Sequence, residues 1–263
     1  MVGHPVSHSM SKVMHEAAFR ELGLDHTYGL FDVTENELKL FMESRKFMGL
    51  NVTIPLKTAV VAYLDELSPD AALIGSVNTI EYGGKRIGHN TDVIGFMKSL
   101  EDAEVEVSGM TFLVLGAGGA GRGIVFKLAM SNARVYCYDK DSVKAAALAN
   151  DVYRKVGVRV ESVAEIADAI RKADVLVNAT PVGMHPKVDE SPVMAKLLHP
   201  ALTVVDIVYN PPETRLLKQA ADRGCKTVNG VSMLVYQGAE ALSIWLDVKP
   251  PIEAMREAVL SNL

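Results

Sequence analysis

Short apolar runs alternate along this chain with longer segments whose apolar positions recur every three or four residues. The runs at 111–115, 133–138, 158–161, 174–178 and 202–206 read as strands buried on both faces. Helical periodicity fills 120–129, 142–155, 163–172 and 213–223 between them. Such alternation predicts a parallel sheet with crossover helices. Upstream, the pattern predicts a helix over 10–22, capped by Ser9 and ended by Gly23, and a second from a Thr34–Glu37 capping box to about Lys46. A strand over 49–54 stops at Pro55. Residues 77–82, Gly83-Gly84 and 85–88 form a hairpin, and a helix capped by Thr91 or Asp92 reaches about Leu100. The acidic stretch 101–106 is a surface connection. Two helices, 231–246 and 251–260, close the chain, which has no internal repeat and no low-complexity segment.

The run at 111–115 leads into Gly116-Ala117-Gly118-Gly119-Ala120-Gly121, a G-x-G-x-x-G motif followed by helical periodicity. Gly116 permits a sharp turn, Gly118 lets backbone approach a pyrophosphate, and Gly121 lets helix and strand pack closely. The helix start then offers N–H groups and a partial positive charge to phosphate. Glycines also cap ordinary strand-to-helix turns. Here Asp139 ends the next strand about 20 residues on, where a ribose-binding acid belongs. The expected fold is therefore α/β with two α/β domains: a doubly wound Rossmann dinucleotide-binding domain over 95–230, and a flanking domain over 1–94 completed by helices in 231–263. The flanking domain should carry a mostly parallel sheet and build the substrate pocket.

Composition narrows the class. At 263 residues, with 49% apolar and 22% charged residues, the chain suits an ordinary α/β protein. Net charge is −5 with no basic stripe, which argues against nucleic acid or an anionic membrane as partner. The uncharged stretch 107–121 is glycine-broken and shorter than the roughly 20 residues a spanning helix needs. No secretory signal is visible at Met1, so a cytoplasmic protein is expected. Cys137 and Cys225 read as buried thiols, and although His4 and His8 stand four apart no H-E-x-x-H motif is present, so no metal is expected.

Four polar clusters end apolar elements in the amino half: Ser7-His8-Ser9-Met10-Ser11, Asn51-Val52-Thr53-Ile54-Pro55-Leu56-Lys57, Val77-Asn78-Thr79 and His89-Asn90-Thr91-Asp92. Singly, each has a plain structural reading: serines as helix caps, Lys57 as a solvated lysine in a first helical turn, Asp92 as an N-cap carboxylate. Together they place hydroxyls, amides, one cation and one anion at strand ends, where ligands bind in open α/β sheets.

With these motifs in hand, the sequence resembles the shikimate dehydrogenase family, which includes quinate/shikimate dehydrogenases. GHPVSHSMS, NVTIPLK, VNT, GHNTD, GAGGAG, NATPVGM, DIVY and NGVSMLVYQG stand in the family's order over nearly the whole chain. The resemblance implies a substrate domain and a Rossmann domain facing each other across a cleft. It also implies interconversion of 3-dehydroshikimate and shikimate in aromatic amino-acid biosynthesis, with NADP as the family's default cofactor. Position by position, it implies that Ser9 and Ser11 hold the substrate carboxylate, and that Thr53, Asn78 and Gln237 bind ring hydroxyls with Tyr209 nearby. Lys57 and Asp92 become the catalytic pair. Gly116, Ala117, Gly118, Gly119 and Ala120 carry the pyrophosphate; Asp139, Lys140 and Asp141 carry the adenosine ribose; Asn178, Thr180, Ile207 and Gly230 line the nicotinamide end. The chemistry agrees, because a ketone oxygen gains negative charge as hydride arrives, and an ammonium donor stabilises and protonates it.

The chain also departs from the family pattern. NADP-using members commonly carry Asn-Arg-Thr where this chain has Asp139-Lys140-Asp141. A carboxylate there accepts ribose hydroxyls and repels a 2′-phosphate, so charge favours NAD over the family's NADP. Quinate-preferring relatives can carry threonine where this chain has Ser11, which ranks shikimate above quinate. Few residues precede Gly3, so the usual first strand is expected to be missing, with N-terminal stability in doubt. Lys12 replaces a frequent proline, at little cost. Two other readings stand beside the dehydrogenase: a folate-type methylene dehydrogenase, disfavoured by the Ser9/Ser11 and Asn78/Asp92 set, and a cofactor-binding regulator without catalysis. The expected partner is a small-molecule substrate, and a homodimer is compatible with the sequence.

Overall fold

The structure, a computed structural model, describes residues 1–44 and 47–263; the expected helix end at Lys46 lies outside the described residues. The chain divides into two compact units, the first made of Met1–Phe96 and Leu234–Asn262, the second of Met97–Met233 with Leu263.

In the first unit, elements run β1 (Val2–Gly3), α1 (Ser11–Glu21), β2 (Phe31–Asp32), α2 (Leu38–Ser44), β3 (Gly49–Asn51), β4 (Glu66–Leu67), α3 (Pro69–Ile74), β5 (Thr79–Tyr82), β6 (Arg86–His89) and the start of α4 (Asp92–Asp102). β1 pairs parallel with β2, and Val2 bridges in parallel to Val52 just past β3. β5 lies antiparallel between β3 and β6, and β4 pairs parallel with β6. Counting the bridge, β5 alone runs against its neighbours, so the sheet is mostly parallel. Val2, Val33, Leu38, Leu50, Val52, Leu56 and Ile80 meet in its core. The short first strand does form, held by Val2 within that core.

The second unit continues with β7 (Thr111–Leu115), α5 (Gly119–Met130), β8 (Arg134–Tyr138), α6 (Ser142–Val156), β9 (Glu161–Ser162), α7 (Ile166–Ile170), β10 (Val175–Asn178), β11 (Thr203–Asp206), α8 (Arg215–Asp222) and β12 (Lys226–Val228). Its sheet order is β12-β11-β10-β7-β8-β9, and every pair is parallel. The chain enters at β7, winds out to β9, then returns to β10 on the other side of β7. That reversal makes the β7/β10 boundary the topological switch point of a doubly wound sheet. Leu113, Leu115, Leu176, Val204, Leu216 and Leu217 fill one face of the sheet. α9 (Val231–Leu246) leads back into the first unit, and α10 (Ile252–Leu260) packs on α1. Among the described residues no helix is long and apolar enough to cross a membrane.

Several boundaries differ from the sequence pattern. β9 is two residues long and sits at the end of the expected 158–161 run, and α7 is shorter than 163–172 because Glu165, its N-cap, is still extended. Ser9 is not the N-cap of α1: that position is Met10, and Ser9 Oγ instead accepts from the Ser11 N–H at 3.2 Å. The Thr34–Glu37 capping box is present but first turns a 3-10 segment, from which α2 continues.

Candidate functional site

In the first unit the polar clusters converge through backbone that the sheet fixes. Lys57 lies in the turn after Pro55, and Asp92 is the first residue of α4. Lys57 Nζ donates to Asp92 Oδ2 at 2.5 Å, with the side chains 16% and 7% exposed. Asn78 Nδ2 donates to the other oxygen, Asp92 Oδ1, at 2.9 Å and to Thr91 Oγ1 at 2.9 Å, while Gln237 Oε1 lies 3.3 Å away. Thr91 N–H donates to Asn78 Oδ1 at 2.7 Å, and Gln237 Nε2 donates to the Leu234 carbonyl at 2.7 Å. Neither plain reading of the ion pair holds. Lys57 is largely buried rather than solvated. The side chain accepting from the first turn of α4 is Asn90, at 3.4 Å from the Val93 N–H, which leaves the Thr91 hydroxyl and the Asp92 carboxylate turned toward Asn78 and Lys57.

Ser9, Ser11 and Thr53 belong to the same unit, with Ser9 and Thr53 in contact with the chain at β1. Ser9 Oγ donates to Met1 Sδ at 3.3 Å, and the Thr53 methyl occupies the space a side chain on Gly3 would need. Ser11 Oγ is buried without a hydrogen-bond partner. A buried hydroxyl left this way costs free energy unless a ligand completes it.

In the second unit the glycine loop occupies the switch point. Gly116 has φ +104°, and a side chain there would collide with the Ala179 carbonyl; one on Gly121 would reach 2.0 Å from the Gly116 carbonyl oxygen. Only glycine fits either position. Gly118 faces open space, and α5 starts there with no side-chain cap. Asp139 ties the loop to the end of β8: its Oδ2 accepts from the Ala117 N–H at 2.8 Å and its Oδ1 from the Asp141 N–H at 3.0 Å. Asp141 caps α6 through the Val143 N–H, and Lys140 is exposed. Tyr209 and Ile207 follow β11, and the Gly230 N–H donates to the Val208 carbonyl at 3.2 Å. Tyr209 thus lies in the second unit, apart in the chain from the other expected substrate residues.

One residue here had no role in the sequence reading. Asp206, at the end of β11, is fully buried; it accepts from Asn178 Nδ2 at 2.9 Å, the Val208 N–H at 3.0 Å and Thr214 Oγ1 at 2.7 Å. Asn178 Oδ1 in turn holds Thr180 by its N–H and hydroxyl, at 3.1 and 2.6 Å. Burial pushes the Asp206 carboxyl up to about 6, against those three hydrogen bonds, which pull it down. Its sequence signals were an acid closing the apolar run 202–205 and its place at the head of the DIVY motif.

Three family models cover the chain: the shikimate dehydrogenase substrate binding domain at residues 1–80, the shikimate / quinate 5-dehydrogenase at 99–217, and the shikimate 5′-dehydrogenase C-terminal domain at 230–260. The chain belongs to the shikimate dehydrogenase family. A shikimate dehydrogenase (NADP+) from Methanopyrus kandleri is 46% identical, with 100% of this chain and 94% of that protein covered. A crystal structure of a shikimate dehydrogenase with NADP+ superposes with a TM-score of 0.92 at 42% identity, covering 99% of this chain and 93% of the other. The Listeria monocytogenes shikimate 5-dehydrogenase with shikimate and NAD gives 0.87 at 35% identity, over 97% and 93%. Shikimate dehydrogenases with either dinucleotide thus share this family's two-domain α/β fold.

The Asp206 environment sets a stability test. Its folded value of about 6 lies above the ordinary 3.8, so the native state holds the proton more tightly than the unfolded chain. That contribution is present below about pH 4 and fades by about pH 6, a change on the order of 3 kcal/mol. His15 slopes the other way, its imidazole held down to about 4 by burial, but parent and variant share it. Asp206→Asn, which keeps the shape and can donate to Thr214, should gain stability relative to the parent as pH rises from 4 to 6 in thermal melts. Melting curves that stay parallel over that range would contradict it.

Proposed function

We propose that this protein catalyses the reversible, NAD(P)-dependent reduction of 3-dehydroshikimate to shikimate within aromatic amino-acid biosynthesis. The first unit would hold the substrate and the second the dinucleotide. The observation that carries the reading is the largely buried Lys57–Asp92 pair, 2.5 Å apart and locked to Asn78.

The residues present suit a dinucleotide. The glycine loop opens onto an uncapped helix start at Gly118, where a side chain would occupy the space a pyrophosphate needs. Gly116, Ala117, Gly118, Gly119 and Ala120 would hold the phosphates, Asp139 to Asp141 the adenosine ribose, and Asn178, Thr180, Ile207 and Gly230 the nicotinamide end. A dinucleotide held by these residues would supply the hydride donor and acceptor for the substrate ring carbon.

The remaining work belongs to side chains. Lysine near neutral pH is a ready proton donor and a poor base, so Lys57 would stabilise and protonate the carbonyl oxygen as charge builds on it. Asp92 orients that ammonium and shares the substrate hydroxyl rather than activating the amine. Asn78 Nδ2 has two hydrogens, and the two nearer acceptors, Thr91 Oγ1 and Asp92 Oδ1, both lie at 2.9 Å. The Gln237 oxygen, farther away at 3.3 Å, is the acceptor left for a ring hydroxyl. Ser11, with its buried unpartnered hydroxyl, and Ser9 would take the substrate carboxylate, with Thr53 on a ring hydroxyl and Tyr209 near the substrate.

For the dinucleotide we propose NAD. Asp139 and Asp141 flank Lys140 where a 2′-phosphate would sit; Lys144, 3.9 Å from Asp141, offsets that second carboxylate, and it is the Asp139 carboxylate at the end of β8 that disfavours NADP. The lone pairs that Asp139 keeps beside its two backbone N–H bonds can accept ribose hydroxyls.

Two tests follow. Lys57→Ala should lose about 100- to 10,000-fold in kcat for shikimate oxidation, the range for a lost acid–base group, while calorimetry still detects shikimate and dinucleotide binding. A near wild-type rate would overturn the assignment. Steady-state kinetics with NAD and NADP, on shikimate and on quinate, should give the higher kcat/KM with NAD and with shikimate. A more than tenfold preference for NADP would refute the cofactor reading.

A further inference from the structure

Behind the ion pair lies a second, wholly buried polar layer. Asn51, the last residue of β3, is 3% exposed. Its Oδ1 accepts from the Tyr28 hydroxyl at 2.5 Å. Its Nδ2 lies 3.3 Å from the Asn78 carbonyl and 3.1 Å from Thr79 Oγ1, to both of which it can donate. The Asn78 carbonyl also receives the Val52 N–H at 2.8 Å, and the Asn78 N–H goes to the His89 carbonyl at 3.1 Å. Thr79 Oγ1 lies 3.2 Å from Thr91 Oγ1. Tyr28, in turn, is stacked on the buried His15 ring, centroids 4.4 Å apart.

We propose that Asn51, clamped by the Tyr28 hydroxyl, is a positioning residue for the reaction. It fixes the Asn78–Thr79 backbone so that the Asn78 amide holds Asp92 against Lys57. The inference rests on the role proposed above for that pair, and deepens it.

Asn51 and Thr79 face each other across the β3–β5 pair, where β3 ends. Beyond it the Asn78 backbone keeps one bond on each side, to Val52 and to His89, and the Asn51 amide adds side-chain bonds to the same Asn78 carbonyl and to Thr79. A fully satisfied buried network is stiff, because each group that let go would be left unpaired in a low-dielectric interior. Asn51 satisfies two acceptors and one donor at once, which no apolar residue of the same volume can do. Misplacing a catalytic group by about 1 Å costs on the order of a hundredfold in rate, so a loosened β5 end is felt at Asp92 without any contact between Asn51 and the substrate.

The test compares Asn51→Ala and Tyr28→Phe with the parent protein in shikimate oxidation. The second variant keeps the ring against His15 and removes only the oxygen, so it decides the question if the first does not fold. Both variants should lower kcat, Asn51→Ala by about tenfold to a hundredfold and Tyr28→Phe by less, with KM for the dinucleotide unchanged. The loss should remain when kcat is expressed per folded molecule, counted by dinucleotide binding, because a positioning role acts on the reacting groups of the folded enzyme. A structural role alone would reduce the folded fraction and leave kcat per folded molecule at the parent value. Variants with lower melting temperature but unchanged kcat per folded molecule would overturn the proposal. A parent protein that does not oxidise shikimate would instead overturn the proposed function.

Discussion

Taking an ammonium and a carboxylate out of water costs several kcal/mol per ion unless other groups satisfy what their mutual contact leaves open. The Lys57–Asp92 pair sits under that constraint, and much of the first unit is organised around meeting it. One carboxylate oxygen takes the lysine and the other takes the Asn78 amide. Asn78 is then held through its own oxygen by Thr91, and through its backbone by Val52, His89 and Asn51. Substituting a single member leaves several buried groups unpaired, which is why these residues behave as one object rather than as separate contacts.

The second unit solves a different problem with similar means. Its sheet reverses winding direction beside β7, and the loop that fills the gap has room only because two glycines let carbonyl oxygens approach their Cα atoms. Asp139 then pins that loop through backbone N–H groups, while Asp206 and Asn178 pin the turn after β10. Burial pushes the Asp206 carboxyl up to about 6 although the hydrogen bonds of that second clamp pull it down. In both units, buried polar side chains at or beside strand ends reinforce the backbone bonds where the ladder runs out.

Much of this was legible beforehand. The five apolar runs of the dinucleotide half, its glycine loop and the late helices are strong periodic signals, and they appear at or within a few residues of the expected positions. The polar clusters that converge on Lys57 were visible as a set although each had an ordinary local explanation. What escaped was of two kinds. β1, β2 and β4 are two residues long, too short for any periodicity, and exist through pairing with distant chain. Asp206 and the Tyr28–Asn51 contact depend on which side chains meet across the fold, a matter of tertiary packing. α3 is a different case: Ser68 at the N-cap, Pro69 at the first position and Gly75 at the end are complete local signals, obscured by how short the helix is.

In the proposed function Lys57 and Asp92 act as a unit in the transition state. A double-mutant cycle in kcat, comparing Lys57→Met, Asp92→Asn and the combined variant for shikimate oxidation, measures that directly. Strong non-additivity is expected, with the double variant scarcely slower than the worse single one. Losses that simply multiply would mean that the two side chains work independently, and would contradict it.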